Sequence, residues 1–317
     1  MSMSSTSAHW RQSPERSHSA IMKLMVWISL RLGRRLSRGV LHGIAAYFLL
    51  FSPRARRASA LYLRRLLGRP ARIGEQYRHF LTFASTVHDR IYLLNDRFDL
   101  FDIRIVGESV IRRHVDAGRG ILLMGGHLGS FEAMRAIGRH HTDLKVCMVM
   151  YAEPAAKLSA VLAAINPAAV QDIVPLGQMQ SMLELSERLE AGQMAGMLCD
   201  RNGGDGPDRP HDFLGTPAAF PLGPFRLAAM LRRPVVFMTG LYLGGNRYEI
   251  HFEELADFSN VERASREAAI QTAQAHYVGR LESFCRYAPF NWFNFFDFWQ
   301  PATRTATTAA PSASPRP

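Results

Sequence analysis

From residue 120 onward the chain repeats one pattern: a compact apolar run, then a stretch with helical spacing. "GILLMGG" (120–126), "LKVCMVMY" (144–151), "DIVPLG" (172–177) and "QMAGMLCD" (193–200) are short and dominated by apolar residues. Such runs, without polar alternation, read as strands buried on both faces, the habit of parallel sheets. Between them lie "SFEAMRAIGRHH", "EPAAKLSAVLAAIN" and "MQSMLELSERLEAG", each with helical periodicity. "PVVFMTGLYLGG" and "NRYEIHFEEL" add two strands joined by a Gly-Gly-Asn turn, and "ASREAAIQTAQAHYVGRLESFCRY" is a long helix. Strand and helix in alternation define an α/β fold. The expectation is a single domain with a mostly parallel central sheet flanked by helices. Reactive groups in such sheets gather beyond the C-terminal ends of the strands.

Charge divides the chain. No Asp or Glu occurs from Arg16 to Gly74, a segment with 13 Arg and Lys, so it carries +13 of a net +11 and the remainder sums to −2. A near-neutral globule therefore carries a basic N-terminal arm, and such an arm seeks an anionic surface. Arginines are interleaved with Leu, Ile, Phe and Trp, a poor surface for tracking phosphates along nucleic acid, so nucleic acid is set aside as a partner. The longest uncharged run, residues 39–53, falls short of the roughly 20 residues that span a bilayer. Residues 21–69 read instead as one or two helices lying in a membrane interface. The expected organisation is a disordered start over 1–18, membrane-associating helices over 19–75, the main domain over 76–300 and a disordered tail over 301–317. Cys147, Cys199 and Cys285 stand far apart with no CxxC, so neither a disulfide framework nor a structural zinc is expected. No metal and no cofactor is expected.

The chemistry centres on "LLMGGHLGSFEAM". His127 follows an apolar strand, and Glu132 lies in the first turn of the next helix. On one helix a five-residue spacing would turn the two side chains about 140° apart. They converge only across a bend, which Gly129 and Ser130 supply. Gly126 and Gly129 leave room for a ligand near the backbone, and Ser130 suits the N-cap position. Histidine is the usual base near neutral pH, and a carboxylate on its far nitrogen would fix the tautomer. The bland alternative is a loop histidine with a glutamate favouring a helix start. Asp200 and Arg201 end the "QMAGMLCD" strand on the same rim: Asp200 to hold the loop, Arg201 to bind a phosphate or an oxyanion. "NGGDGP" after them is a candidate lid.

These stretches resemble the lipid A biosynthesis acyltransferases of the lysophospholipid-acyltransferase-like superfamily. The resemblance rests on "GGHLGSFE", the His-x4-Asp/Glu signature, on "MLCDRNGGDGPDRPHDFLGTPAAFPLGPFR" some 70 residues on, and on the basic apolar arm. Two features depart from the main lipid A enzymes. Tyr151 is followed by Ala152 and Glu153 rather than by Arg, and "NWFNFFDFW" (291–299) looks more like a branch found with aryl-polyene and glycolipid gene clusters. The resemblance implies transfer of a fatty acyl group from an acyl-carrier protein or coenzyme A thioester to a hydroxyl of a lipid or glycolipid, at the cytoplasmic face of a bacterial inner membrane. His127 would be the general base, oriented by Glu132. Backbone N–H groups near Gly129 and Ser130 and the Arg201 guanidinium would meet the oxyanion, and Phe213 and Phe220 would wall an acyl channel. The alternative is a lipid or thioester hydrolase using the same pair with water.

Overall fold

The computed structural model describes residues 15–133, 145–151, 173–201 and 208–299, with a few positions between 159 and 166. Residues 1–14 and 300–317, which hold most of the ends expected to be disordered, the candidate lid at 202–207 and the greater part of the two helices expected after residues 130 and 152 lie outside the described residues. Three helices lead: α1 (Glu15–Phe51), α2 (Pro53–Leu67) and α3 (Ile73–Leu93). Helix α1 kinks at Gly33, whose φ of 76° breaks the helical path. Pro53 opens α2, where a missing N–H costs nothing, and Gly68 ends it in the left-handed region. Residues 15–18 are already helical, so the arm begins earlier than its expected boundary at residue 19.

The sheet follows: β1 (Asp102–Val106), α4 (Glu108–Asp116), β2 (Ile121–Gly125), β3 (Val146–Tyr151), β4 (Ile173–Leu176), α5 (Met179–Glu190), β5 (Met194–Leu198), β6 (Asp208–Phe213), β7 (Thr216–Pro221), α6 (Gly223–Met230), β8 (Pro234–Tyr242), β9 (Arg247–Asp257) and α7 (Arg266–Tyr287). Seven strands form one sheet in the order β1-β9-β8-β2-β5-β3-β4. Strands β8, β2, β5, β3 and β4 run parallel, while β9 returns antiparallel to β8. The mixed α/β architecture with a mostly parallel sheet is thus as expected. Strand β1 is an addition to that expectation. It is short, sits on the edge and is mostly half-buried, so its apolar signal is diluted. The "HDFLGTPAAF" segment lies in the β6–β7 hairpin, turning at Leu214 and Gly215, both with positive φ.

Strand β2 sits inside the sheet and is buried along its whole length. Its alternate residues enter opposite cores: Leu122 and Met124 join the larger one, Ile121 and Leu123 the one beneath α4. This double burial is what the unbroken apolar run encodes. It also makes β2 a rigid base for whatever follows Gly125.

Candidate functional site

Strands β2 and β5 are parallel neighbours in register, Gly125 beside Leu198. Two residues beyond each lie His127 and Asp200. The register alone therefore brings the two side chains together at the carboxyl rim. His127 Nδ1 lies 2.8 Å from Asp200 Oδ1, and the His127 backbone N–H donates to Asp200 Oδ2 at 3.0 Å. Asp200 is fully buried. It also accepts from Trp292 Nε1 at 3.0 Å and Asn294 Nδ2 at 2.9 Å. Burial alone would raise its carboxyl, yet contact with His127 and the charge of Arg201 hold it well below the usual carboxylate range. An ionised Asp200 only accepts, so Nδ1 carries the proton and Nε2 is left as the basic nitrogen. Among the described residues nothing hydrogen-bonds to Nε2.

Glu132, expected beside His127, is spoken for elsewhere. Its Oε1 lies 2.9 Å from Arg90 Nε of α3, an ion pair whose geometry is off line for a hydrogen bond. Glu132 is buried in the first turn of the helix that starts at Phe131, and its charge suits that N-terminus. The carboxylate on the histidine ring belongs to Asp200 instead, because the neighbouring strand end delivers it without any bend.

The other expected residues divide. Gly126 is half-buried, and a Cβ there would crowd Leu281, Asp200 and the Tyr277 hydroxyl, so its bareness lets protein, not ligand, close in. Gly129 has φ +76° and approaches β8 so closely that a Cβ would lie 2.1 Å from Gly240 O. The N–H groups of Gly129 and Ser130, expected as oxyanion donors, go to Asn291 O (2.8 Å) and Gly240 O (2.7 Å). Ser130 does cap its helix, accepting from the Ala133 N–H at 3.3 Å. Phe213 and Phe220, expected in an acyl channel, are fully buried in the main core against Trp292, Tyr277 and Phe298. Arg201 remains at the site. It donates to Asn294 Oδ1 and, at 2.9 Å, to Phe293 O, and it lies over the Phe296 ring. Among the described residues its Nη1 makes no hydrogen bond.

Three residues at the site escaped the sequence reading: Trp292, Asn294 and Tyr277. The segment "NWFN" bridges Leu128 to Trp292 and takes the His127 carbonyl through the Phe293 N–H at 2.7 Å. The Tyr277 hydroxyl of α7 donates to Gly125 O at 2.8 Å, holding the end of β2. The sequence signal was available in "NWFN", where Asn and Trp interrupt an aromatic run with polar donors.

His79 of α3 locks this segment from behind. It is fully buried; Nε2 donates to Trp292 O and Nδ1 faces Ser59 Oγ, each at 2.9 Å. Burial depresses its pKa from 6.5 to about 4. Between those values the unfolded chain binds the proton that the folded one refuses, so stability falls as pH drops from 6.5 toward 4. The loss approaches about 3 kcal/mol near pH 4. Denaturant midpoints at pH 7 and pH 4.5 should show it, and His79→Gln should flatten the slope; an equal slope in both proteins refutes the linkage.

His127 and Arg201 open onto a cavity of about 740 Å³. Met148, Met182, Met197, Leu176 and Leu227 line it, and Phe131 joins them. Methionine-rich walls adapt to flexible apolar ligands. The arrangement is a buried Asp200 paired with His127, whose Nε2 is left without a hydrogen-bond partner among the described residues, at the edge of an apolar cavity; such a pair can accept a proton. Residues 80–300 match the family model described as "bacterial lipid A biosynthesis acyltransferase", and the chain belongs to that family. Membership implies an acyltransferase acting on lipid, with an acyl donor and a lipid acceptor. No curated protein matches the chain closely enough to add to this.

Proposed function

We propose that this protein transfers a fatty acyl group from a thioester, on an acyl-carrier protein or coenzyme A, to a hydroxyl of a lipid or glycolipid. The observation that carries the reading is the Asp200–His127 pair at the mouth of the apolar cavity. His127 Nε2 removes the acceptor's hydroxyl proton as the oxygen attacks the thioester carbonyl. The tetrahedral adduct then expels the thiolate, which takes the proton from the imidazolium. Asp200 holds Nδ1–H and balances the transient positive charge. Arg201, with Nη1 to spare, faces the oxyanion; such donors are worth on the order of 10²–10³ in rate. Thioester activation makes a covalent acyl-enzyme unnecessary.

The arm supports a membrane site for this chemistry. One face of α1 packs inward: Ser37, Leu41, Ala45 and Leu49 are buried, and Arg34 grips the buried Asp89 of α3 through two hydrogen bonds of 2.7 and 2.8 Å. Beyond the Gly33 kink the other face exposes Leu36, Val40, Tyr47 and Phe51, which share one side of the helix. Among the described residues no helix is long and apolar enough to cross a membrane. Such a stripe, in a segment that holds 13 Arg and Lys and no Asp or Glu from Arg16 to Gly74, suits an anionic leaflet, each basic residue adding about 1 kcal/mol near the surface.

The deciding experiment supplies membranes bearing this protein with radiolabelled acyl-carrier protein or acyl-coenzyme A and extracts the lipids. Acylated lipid is the expected product. Labelled free fatty acid alone identifies a hydrolase and ends the transfer reading. Filling the cavity tests the acyl site: Leu227→Trp is expected to lower kcat/KM for long acyl donors by about tenfold or more while sparing short ones, since one methylene's fit is worth about 10–200-fold. Equal losses across chain lengths would place the acyl chain elsewhere.

A further inference from the structure

Asp200 and Arg201 are neighbours in sequence, a buried carboxylate and a half-buried guanidinium, yet Asp200 pairs with His127 rather than with Arg201. What links the two is Asn294, itself buried. Its Nδ2 donates to Asp200 Oδ2 at 2.9 Å, and its Oδ1 accepts from Arg201 Nε. An ionised carboxylate only accepts and a guanidinium only donates. A group that bonds both must therefore offer one donor and one acceptor at a fixed spacing. A primary amide does so, and here in one orientation only.

The rest of the segment makes that spacing rigid. Trp292 Nε1 reaches Asp200 at 3.0 Å, the Phe293 N–H reaches His127 O at 2.7 Å, and buried His79 holds Trp292 O. Arg201 is clamped along one edge: Nε meets the Asn294 side chain and Nη2 meets Phe293 O at 2.9 Å. The Phe296 ring lies against its face, 5.1 Å from Cζ to the centroid. An edge and a face together define the plane of a guanidinium. Nη1 is then the donor left over, on a residue that lines the same cavity as His127. Asn294 does not line that cavity. Were Arg201 to turn onto Asp200, the ion pair would consume the free N–H groups and compete with His127 Nδ1 for the carboxylate. We propose that Asn294 is a positioning residue for acyl transfer: by bonding Asp200 and Arg201 at once, it fixes the oxyanion donor at a set distance from the base and keeps the two charges apart. This role rests on the transfer reading given above and deepens it.

The test is a double-mutant cycle on the full chain in membranes, read as kcat and KM for transfer of labelled acyl groups to lipid. Asn294→Ala is expected to lower kcat by about 10²-fold, the scale of a misplacement of about 1 Å, with KM within about threefold of wild type. Arg201→Ala alone is expected to lose about 10²–10³. Because Asn294 acts through Arg201, the double variant should lie within about threefold of Arg201→Ala. A merely structural role would multiply the two losses, so a multiplicative double variant overturns the proposal, as does full activity in Asn294→Ala. Arg201→Lys serves where Asn294→Ala folds poorly. An ammonium keeps the charge but has no planar edge to lay along Asn294 Oδ1 and Phe293 O, so its kcat should stay within about tenfold of Arg201→Ala. Wild-type kcat in Arg201→Lys would show that charge suffices without the clamp, and overturns the proposal. The two readings fail differently: wild type that acylates no lipid removes the transfer reaction and this role with it, whereas active wild type with the wrong cycle removes the role of Asn294 alone.

Discussion

His127→Ala is expected to lower kcat/KM for acyl transfer by about 10²–10⁴, the usual contribution of a positioned general base. That is roughly 3–5 kcal/mol of lost transition-state stabilisation. The loss should appear in kcat with KM little changed, because in the proposed reaction the cavity holds the acyl chain and His127 is only at its rim. The fold should survive. The His127 side chain is 30% exposed, and Asp200 keeps three donors without it: the backbone N–H of residue 127, Trp292 and Asn294. A thermal melt within a few degrees of wild type, paired with the rate loss, separates chemistry from unfolding. The measurement is single-turnover transfer from labelled thioester to extracted lipid. Rates within threefold of wild type would remove His127 from the mechanism.

Much of this was legible in the sequence, and the reason is local. Strands β2, β5 and β8 are buried on both faces, so their sequences carry an unbroken apolar signal, and their order with the helices fixed the class of fold. His127 was legible because it ends such a strand. Its partner was not, because Asp200 lies 73 residues away, and the link is a strand register rather than a spacing. Glu132 is close in sequence, which favoured it, yet it stands in the first turn of a helix that carries its side chain toward α3. Phe213 and Phe220 read as channel walls because aromatic residues suit both a channel and a core; burial alone distinguishes the two, and a sequence does not record it. Edge strand β1 and the β6–β7 hairpin escaped for the opposite reason, since partial exposure dilutes their pattern.

The two carboxylates can be set against each other. Asp200→Asn is expected to cost about 10³–10⁴ in kcat/KM, as when a catalytic histidine is forced into the wrong tautomer. One oxygen of Asp200 faces three donors, the His127 N–H, Trp292 Nε1 and Asn294 Nδ2; the other faces His127 Nδ1. An Asn must keep its carbonyl toward the three donors, so its NH₂ turns to Nδ1. Nδ1 then accepts, Nε2 carries the proton, and the nitrogen that should receive the acceptor's proton has no lone pair to offer. Glu132→Gln removes only the ion pair with Arg90, whose guanidinium is partly exposed and can rehydrate. It should lower stability by about 1–3 kcal/mol and leave kcat/KM within tenfold. Measured side by side, with melts to correct for folding, the pair separates on rate: a large loss for Asp200→Asn beyond any change in its melt, and stability without rate for Glu132→Gln. If Glu132→Gln abolishes transfer while its melt stays at the wild-type value, the glutamate belongs to the reacting groups and Asp200 is a structural anchor of the strand ends.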